Sequence, residues 1–542
     1  MNLGGYLSRS SMYWPDLEAL VCGDRRWSYR ELEDSTNRLA SALLGRGLAP
    51  GDAVATFAGN CGELVETEMA LYKSGLLRVP INARLGAEEV AHILTDADVR
   101  MVFVDTAHAG SVLKAIERGG LDCAVVDYEG RADHHGTDQA TARGHHPLGT
   151  ATAERTASTS GYQDLLAEGS TAPIAVEVSE DDPAVLNFTS GSTGKLKAAV
   201  QTHGNRLANM RKRIMSPEGP PSCEERFLAP GPITHASGMA VLACLARGAK
   251  VVVLPEWDTG TFLATVEAER ITSAFLVPTM LTMVLAHPDV TTRDLSSLRH
   301  IRVGGAPVPP QRLREAMATL GPVVMQGYGQ GETTSGITIM THEDMQRAVT
   351  SDPDLLMSCG RAWFDTEVRV VDENGVPQPA GVSGEVVARG PDCAREYWNE
   401  PELSAETFRN GWVHTGDIGY LRHDGYLFIV DRIKDMIISG GFNIYCSEVE
   451  AALYEHPAVL ETCVVGVPDE HWGEAVKAVV VRRPGSDVTT DELIEFCAGR
   501  LARMKKPRSV DFAEHLPVNR NGKLDRRAVR APYWADAARH VN

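Results

Sequence analysis

The sequence predicts a multidomain α/β protein, with a large N-terminal domain of βαβ-type sheets, a small β-barrel-like part and a small α+β C-terminal domain. A chain of 542 residues exceeds what one hydrophobic core usually supports, so two or more domains are expected. Up to about residue 345, short apolar runs alternate with helical periodicity, which is typical of βαβ units. From Thr366 onward, turn signals and then a shorter mixed pattern replace this alternation.

The apolar runs before residue 345 are rich in β-branched residues, and helical stretches separate them. Runs of this length favour strands of a mostly parallel sheet, which are buried on both faces. The strands predicted in this way are 99–105, 123–127, 184–188, 250–254, 272–278 and 322–329. The stretches 29–47 and 262–270 are predicted as helices.

The last third of the chain carries two hairpin signals and then an α+β pattern. Asn-Gly at 374–375 and Asp-Gly at 424–425 favour tight turns between antiparallel strands. The later elements are helices near 447–455 and at 490–504, with strands at 461–467 and 475–482. We therefore place a boundary at about residue 434, which gives domains 1–433 and 434–542.

One segment, 134–161, has no apolar periodicity and is rich in Ala, Thr, Gly and His. This composition favours a flexible surface loop over a packed element. Its two His-His pairs could also bind a metal ion, but no pattern of supporting ligands accompanies them. A solvated loop is the favoured interpretation, and its role stays open.

Composition and charge restrict the class of protein. Apolar residues make up 43% and charged residues 23% of the chain, as in ordinary soluble proteins. The formal net charge of −19 is unfavourable for a nucleic-acid-binding protein, although 503–508, "RMKKPR", is a local basic run. The ten cysteines include no C-x-x-C pair, which favours reduced thiols. No signal peptide and no apolar stretch of about 18 residues occurs, so we expect a cytoplasmic protein without an integral membrane segment.

The stretch "NFTSGSTGKLKAAV", residues 187–200, has the composition of a phosphate-binding loop. A predicted strand leads into hydroxyl and glycine residues whose backbone N–H groups can turn towards an anion. Lys195 and Lys197 add positive charge. The Walker spacing does not fit, because Thr189 stands at its first glycine and Leu196 at its Ser or Thr. A flexible loop without a ligand is the alternative. The hydroxyl and glycine residues are Thr189, Ser190, Gly191, Ser192, Thr193 and Gly194.

Further motifs follow in a fixed order along the chain. They are "VGGAPVP" at 303–309, "QGYGQGETT" at 326–334, "HTGDIGYL" at 414–421, "DRIKDMIISGGFNIYCSEVE" at 431–450 and "LPVNRNGKLDRR" at 516–527. In this order and at these separations, the motifs resemble those of the adenylate-forming superfamily of acyl-CoA synthetases, carrier-protein-loading adenylation domains and luciferases. The likeness covers nearly the whole chain, and the series is far more specific than any one motif.

The resemblance implies an ATP site built from several motifs. The loop 189–197 would hold the β- and γ-phosphates, and Tyr328 would lie against the adenine. Asp417 would accept hydrogen bonds from both ribose hydroxyls, because a carboxylate offers two oxygens. Arg432 would reach the same ribose, or it forms only a salt bridge at the hairpin end. The other implied nucleotide contacts are Gly304, Gly305, Ala306, Pro307, Gly327, Gly329, Gln330 and Ile429.

The resemblance also implies the residues of the chemical step. Glu332 would bind Mg²⁺, since a hard cation bridging phosphates prefers carboxylate oxygen; a surface carboxylate is the alternative. The ammonium of Lys523, with that of Lys197, would offset negative charge as a carboxylate attacks the α-phosphate and pyrophosphate departs. His235, in "PITHASG", matches a position at the acyl pocket, where it is either catalytic or structural.

A mobile C-terminal domain and a coenzyme A site are further implications of the resemblance. Lys434 matches the hinge of enzymes that rotate the small domain between adenylation and thiol capture. Gly440 and Gly441 would line a tunnel for the pantetheine arm, where a thin chain must pass close to the backbone. An ordinary Gly-Gly turn is the alternative. The basic run 503–508 either meets the phosphates of coenzyme A or is a solvated face.

The chain departs from the family pattern at several positions. Leu196 and Ala198 replace the proline and glycine that usually flank the loop lysine, which removes local rigidity. Gly331 stands where threonine is common, and we expect this glycine to leave more room in the pocket. Glu396 replaces the glycine of "GYWN", and Cys446 replaces a proline. None of these changes removes a group that adenylation needs, so they bear mainly on the second half-reaction.

The leading hypothesis is therefore an AMP-forming ligase that joins a small-molecule acid to coenzyme A, using ATP and Mg²⁺. The alternatives keep adenylation but change the acceptor to a carrier protein on a separate chain or to an amine, or change the acid to an inorganic one such as nitrite. A non-catalytic nucleotide-binding scaffold belongs to a different class, and retention of Glu332 and Lys523 is unfavourable for it. The identity of the acid and the oligomeric state stay open.

Overall fold

The computed structural model describes residues 2–130, 159–190, 196–334, 336–518 and 524–535. Its strands are β1 Glu18–Cys22, β2 Arg25–Ser28, β3 Ala53–Ala58, β4 Leu77–Asn82, β5 Met101–Val104, β6 Ala124–Asp127, β7 Thr159–Gly161, β8 Pro183–Ser190, β9 Leu196–Thr202, β10 Arg226–Ala229, β11 Lys250–Val253, β12 Ser273–Leu276, β13 His300–Gly304, β14 Val324–Gly329, β15 Gly336–Met340, β16 Arg361–Ala362, β17 Glu367–Val371, β18 Gly384–Arg389, β19 Phe408–Arg409, β20 Trp412–Leu421, β21 Leu427–Arg432, β22 Ile437–Ser439, β23 Phe442–Ile444, β24 Val459–Asp469, β25 Gly473–Arg482 and β26 Ser509–Phe512.

The α-helices are α1 Gly5–Tyr13, α2 Tyr29–Gly45, α3 Gly62–Ser74, α4 Ala87–Asp96, α5 Thr106–Gly119, α6 Tyr162–Glu168, α7 His203–Ile214, α8 Val241–Leu245, α9 Thr259–Ala268, α10 Pro278–Ala286, α11 Pro310–Leu320, α12 His342–Thr350, α13 Pro401–Thr407, α14 Cys446–Tyr454, α15 Thr490–Ala498 and α16 Arg526–Trp534. Short 3-10 turns occur at Ala236–Ala240, Pro288–Thr291, Gly331–Thr333 and Pro353–Met357. None of the helices in the described ranges is both long and apolar enough to cross a bilayer.

Two large sheets form the N-terminal part of the chain. One has seven strands in the order β7-β6-β5-β3-β4-β8-β9, and every pair is parallel except the antiparallel pair β8–β9. The other has nine strands in the order β16-β15-β14-β13-β12-β10-β11-β1-β2, with parallel pairs in the centre and antiparallel pairs at both edges. The predicted large α/β part is therefore confirmed.

The main hydrophobic core draws side chains from both large sheets and from the helices α2 and α3. Leu20 and Val251 come from the nine-stranded sheet, Val185 from the seven-stranded sheet, and Leu39 and Met69 from the two helices; each is almost fully buried. Burying a side chain of this size stabilises the fold by about 1.5–3 kcal/mol. The two sheets therefore share one core.

The first long helix shows how local sequence signals place an element on that core. The Ser28 hydroxyl accepts a hydrogen bond from the Glu31 backbone N–H, and the Glu31 carboxylate accepts one from the Ser28 N–H at 2.8 Å. This capping box fixes the start of α2. Leu32, Leu39 and Leu43 then follow at helical spacing and are fully buried. The helix predicted at 29–47 is confirmed, and it ends at Gly45.

Two smaller sheets complete the fold. A five-stranded antiparallel sheet has the order β17-β18-β20-β19, with β21 on β20. The predicted turn at 424–425 joins β20 to β21, with Leu421 opposite Leu427. In the C-terminal part, β23-β22-β25-β24 and β26 form a second five-stranded sheet, as predicted for a small α+β domain. Since β21 ends at Arg432 and β22 begins at Ile437, the predicted boundary falls between two sheets, and its position stays a prediction.

Some predicted bounds are wrong. The segment 134–161 is not loop throughout, because Thr159–Gly161 forms the edge strand β7 beside β6; main-chain pairing makes this strand, so side-chain periodicity gave no signal. Residues 131–158, with both His-His pairs, lie outside the described ranges. The helix predicted at 490–504 ends at Ala498, before the helix-weakening residue Gly499. The strand predicted at 272–278 ends at Leu276, because Pro278 is the first residue of α10.

The segment 391–398, which follows β18, links the five-stranded sheet to both large sheets. The Val200 N–H of β9 donates to the Glu396 carbonyl at 3.1 Å. The Ala394 N–H donates to the Glu332 carbonyl at 2.8 Å, in the turn after β14. The Glu396 side chain is exposed, so its replacement of the family's glycine places no side chain between the sheets.

A buried ion pair holds the same segment from the other side. Lys212 of α7 and Asp392 lie 2.5 Å apart, with side-chain exposures of 1% and 0%. Lys212 also donates to the Gly336 carbonyl at 3.1 Å, and the Thr334 hydroxyl donates to the Asp392 carbonyl. Burial raises the pKa of Asp392, while the Lys212 charge opposes that rise. The pair thus joins α7 to the chain that directly follows the turn carrying Glu332.

Replacing Asp392 by alanine should strongly destabilise the fold. The variant leaves the Lys212 ammonium buried without its carboxylate, which costs about 3–5 kcal/mol. Denaturant unfolding followed by tryptophan fluorescence measures the shift in midpoint. Asp16→Ala is the matched control, because the Asp16–Arg30 pair is largely exposed and contributes about 1 kcal/mol or less. Equal midpoints for the two variants would contradict a structural role for the buried pair.

Candidate active site

Residues from three predicted motifs converge where the three N-terminal sheets meet. Tyr328 lies at the end of β14, and the 3-10 turn containing Glu332 follows directly. Lys197 lies on β9, and Asp417 lies on β20 of the five-stranded sheet. These residues are far apart in sequence, and the linkage of the sheets through 391–398 brings them to one place.

Asp417 is the centre of the first cluster. The Tyr328 hydroxyl donates to its Oδ2 at 2.5 Å, and Arg432, its cross-strand partner, lies 3.1 Å from Oδ1. Burial raises the pKa of Asp417, whereas Arg432 and the Tyr328 hydroxyl lower it. The carboxylate therefore has two acceptor oxygens held in a fixed orientation, which suits recognition of a vicinal diol.

Lys197, Tyr397 and Glu332 form the second cluster. The Lys197 ammonium donates to the Tyr397 hydroxyl at 2.7 Å, and that hydroxyl donates to Glu332 Oε1, also at 2.7 Å. The ammonium also lies 3.9 Å from the centroid of the Tyr397 ring. Burial lowers the pKa of Lys197, and the charge of Glu332 opposes that shift. Burial and the charge of Glu332 raise the pKa of Tyr397 well above its ordinary value, so the hydroxyl stays protonated.

Tyr397 is a site residue that the sequence reasoning missed. In the stretch "EYWN", the Glu396 side chain is exposed and the next residue, Tyr397, is buried. Its hydroxyl connects Lys197 to the predicted metal ligand Glu332. An aromatic residue directly after an exposed position was the only local sign that Tyr397 is buried. Its partners are distant in sequence, so local pattern alone did not reveal its role.

The expected extra room at Gly331 is not present. A Cβ at this position would lie 2.7 Å from Asn187 Nδ2 and 3.0 Å from Thr189 Cγ2. The Gln201 amide also donates to the Gly331 carbonyl at 3.2 Å. The Asn187 and Thr189 side chains of β8 therefore fill the space that a larger residue would take.

The adenine motifs form the wall beside Tyr328. Gly304 ends β13 and pairs with Gly327 of β14, and a Cβ on Gly304 would lie 2.9 Å from the Gly327 carbonyl oxygen. Gly305 has a φ of 90°, which favours glycine. Within the described ranges, Gln330 Nε2 is buried without a hydrogen-bond partner and is available to a ligand. The roles given to the remaining implied contacts, Ala306, Pro307, Gly329 and Ile429, stay predictions.

His235 directly precedes the 3-10 turn Ala236–Ala240, and its Nδ1 lies 3.0 Å from the Thr234 hydroxyl. With Asn187 and Gln201, it lines a narrow cavity of about 10 Å³, which is the space of a single water molecule. Because Asn187 contacts Gly331, this cavity adjoins the Glu332 turn. The predicted position of His235 at an acyl pocket therefore stays open to test.

The predicted hinge lies close to the Asp417 cluster. Burial and the charge of Arg432 lower the pKa of Lys434. A hydrogen bond joins the chain before the predicted hinge to the chain after it: the Cys446 N–H donates to the Asp431 carboxylate. The family's usual proline at position 446 has no N–H and could not make this bond. Gly440 and Gly441 form the β22–β23 turn with φ values of 59° and 81°.

The turn glycines also have a structural reason to be glycine. A Cβ on Gly440 would lie 2.4 Å from the Trp472 ring, so close packing against the indole accounts for this residue without a ligand. The tunnel role of Gly440 and Gly441 stays a prediction. The remaining predicted site residues, Gly191, Ser192, Thr193, Gly194, Lys195 and Lys523, lie outside the described ranges, and nothing is described of the Ser190 side chain.

Comparison with known proteins identifies the family of the chain. A family model for AMP-binding enzymes matches residues 7–398, and a model for the C-terminal domain of AMP-binding enzymes matches residues 448–523. The chain belongs to the AMP-binding enzyme family. This AMP-binding enzyme is thus an enzyme of the AMP-forming ligase family, and the predicted adenylate-forming superfamily is confirmed.

Relatives and solved structures cover almost the whole AMP-binding enzyme. It is 37% identical over 531 residues to a feruloyl-CoA synthase from Amycolatopsis sp, with 98% of each chain covered. It is 34% identical over 538 residues to the long-chain-fatty-acid–CoA ligase FadD13 of Mycobacterium tuberculosis (strain CDC 1551 / Oshkosh), with 98% of this chain and 99% of the relative covered. The solved amide bond synthetase McbA from Marinactinospora thermotolerans matches with a TM-score of 0.83 and 30% identity, covering 98% of this chain and 100% of the other.

Replacing Tyr397 by phenylalanine should slow the first chemical step. The variant keeps the aromatic ring but removes the hydroxyl that lies between Lys197 and Glu332, and loss of a hydrogen bond to a charged group costs about 1.5–3 kcal/mol. We expect acid-dependent exchange of labelled pyrophosphate into ATP to fall by about 10- to 100-fold. Tyr420→Phe is the matched control, since this tyrosine is stacked on Phe428 away from the Glu332 turn. Unchanged exchange in Tyr397→Phe would rule out a role for the hydroxyl.

Proposed function

We propose that this AMP-binding enzyme is an acid–CoA ligase. A carboxylate oxygen of an organic acid attacks the α-phosphorus of ATP, and the departing pyrophosphate keeps the electron pair of the broken P–O bond. The thiol sulfur of coenzyme A then attacks the acyl carbon of the adenylate. AMP leaves with the electron pair of the C–O bond, the thiol proton is lost, and acyl-CoA is the product.

One observation carries the proposal: the Lys197 ammonium and the Glu332 carboxylate share the Tyr397 hydroxyl, and the charge of Glu332 also acts on Arg432, the partner of Asp417. ATP needs these three kinds of contact, for its phosphates, its metal ion and its ribose. The names of the relatives, a feruloyl-CoA synthase and a long-chain-fatty-acid–CoA ligase, support coenzyme A as the acceptor.

Each residue has a defined task in this proposal. Asp417 accepts hydrogen bonds from the ribose, and Arg432 keeps that carboxylate ionised and oriented. Tyr328 packs against the base, and Lys197 with the hydroxyl-rich loop binds the phosphates. Glu332 would hold Mg²⁺, which when bound supplies positive charge to the phosphate oxygens. Its buried carboxylate accepts a hydrogen bond from the neutral Tyr397 hydroxyl, and carboxylate oxygen is the ligand that a hard cation prefers.

The C-terminal domain supplies the remaining groups. The ammonium of Lys523 offsets the charge that develops when two anions meet at the α-phosphate. Rotation about Lys434 then removes Lys523 and brings the turn Gly440-Gly441 to the thiol site. His235 lies between the acyl group and the incoming thiol in this scheme, where it orients the acyl carbonyl.

A second candidate function keeps adenylation and uses an amine as acceptor. The likeness to the amide bond synthetase McbA supports it. Consumption of coenzyme A in the presence of the preferred acid separates the two candidates, since an amide-forming enzyme leaves the thiol untouched.

Replacing Lys523 by alanine should separate the two half-reactions. Loss of its ammonium should reduce acid-dependent pyrophosphate release by at least about 100-fold, while thiolysis of a supplied acyl-adenylate continues. Lys114→Ala, at an exposed position on α5, is the control for loss of one lysine. Equal loss of both steps would refute the proposal that Lys523 acts in adenylation and not in thiolysis. Absence of pyrophosphate release across a broad acid panel would refute adenylation itself.

A further inference from the structure

A buried charged cluster lies beside the narrow cavity that His235 lines. Arg78 on β4 and Arg206 on α7 both approach one carboxylate oxygen, Glu68 Oε1 on α3, at 3.2 Å and 3.4 Å. Arg206 Nε also donates to the Tyr72 hydroxyl at 3.1 Å, and that hydroxyl donates to Glu68 at 3.1 Å. Each of these four residues is less than 5% exposed.

The charges in this cluster do not balance. Two guanidinium groups share one carboxylate, and burial raises the pKa of Tyr72 to about 12, so the phenol is neutral near pH 7. The neighbouring His203 is also neutral, because burial lowers its pKa to about 4. The cluster therefore carries an excess positive charge, which is costly in a buried place unless an anion compensates it.

Both arginines line the cavity, so the excess charge faces it. Within the described ranges, Arg78 Nε is a buried donor and Gln201 Oε1 a buried acceptor, each without a hydrogen-bond partner. Buried polar atoms of this kind are normally paired with protein, water or ligand. Both residues line the same cavity as Arg206, His235 and Asn187.

The cavity also touches the place where adenylation is proposed. Asn187 packs on Gly331, directly before Glu332, whereas Arg78 and Arg206 come from β4 and α7. An acid that reaches the Glu332 turn with one end would meet the guanidinium groups with its other end. With room for about one water molecule, the cavity must widen as such an acid enters.

We propose that Arg78 and Arg206 bind a second carboxylate at the far end of the acid substrate, so that the preferred substrates are dicarboxylic acids. Guanidinium groups recognise a carboxylate through paired, charge-assisted hydrogen bonds, and a second carboxylate brings the cluster to charge balance. The Gln201 amide N–H already donates to the Gly331 carbonyl, so the guanidinium groups supply the donors for this carboxylate. This inference rests on the proposed adenylation, since only that reaction requires an acid here.

The test compares each straight-chain dicarboxylic acid, from about four to ten carbons, with its own monomethyl ester. The two compounds share one free carboxylate and a nearly equal length, but only the diacid has an anionic far end. Acid-dependent pyrophosphate release gives kcat/KM for both. We expect the preferred diacid to exceed its ester by about 10- to 100-fold, the usual effect of a hydrogen bond to a charged group.

Two variants and a control assign the preference to the cluster. Arg78→Gln should lower the diacid-to-ester ratio by about tenfold or more, whereas Arg206→Lys, which keeps the charge, should retain part of it. Arg30→Gln, at an exposed position on α2, should leave the ratio unchanged. If Arg78→Gln does not fold, the ratio for the unaltered enzyme still decides the question.

The outcomes separate this inference from the proposed function. Equal or better use of the esters, with clear pyrophosphate release, would overturn the dicarboxylate inference and leave adenylation supported. A diacid preference that both arginine variants retain in full would also overturn it. No pyrophosphate release from any acid would instead overturn the proposed function on which the inference rests.

Discussion

The arrangement of the active site depends on how the segment 391–398 is held between the sheets. Its main chain accepts from β9 on one side and donates to the Glu332 turn on the other. The buried pair of Lys212 and Asp392 fixes the same segment to α7. Because an unpaired charge at this depth would be very costly, the pair has one favourable position, and that position sets where Tyr397 and Glu332 lie.

Each charged group of the candidate site lies near a group of opposite charge. The Tyr397 hydroxyl separates the ammonium of Lys197 from the carboxylate of Glu332, and Arg432 pairs with Asp417. Burial disfavours the charged forms of Lys197 and Asp417, and the opposite charges of Glu332 and Arg432 counteract this effect on their pKa values. In the proposed function, the triphosphate would take the place of Glu332 as the anionic partner of Lys197, and Mg²⁺ would take the place of Lys197 as the cationic partner of Glu332. The ribose hydroxyls are neutral, so Arg432 would keep its pairing with Asp417.

Much of the fold and part of the site were predictable from sequence. Apolar runs and capping signals such as Ser28 and Glu31 act locally, and they placed the large sheets and α2 correctly. Motif order indicated Asp417, Tyr328 and Lys197, which the fold brings to one region. Tyr397 was missed because its partners are some 65 and 200 residues away in sequence. The room expected at Gly331 was wrong for a similar reason, since Asn187 on a neighbouring strand fills it.

The pairing of β8 with β9 continues as far as Ser190 and Leu196, where these two residues are cross-strand partners. Main-chain pairing therefore holds the two ends of the connection between them together. Under the proposed function, the sheet has already met the entropic cost of bringing these ends together before a triphosphate binds, so inserting glycine between them should weaken ATP binding through added chain entropy alone.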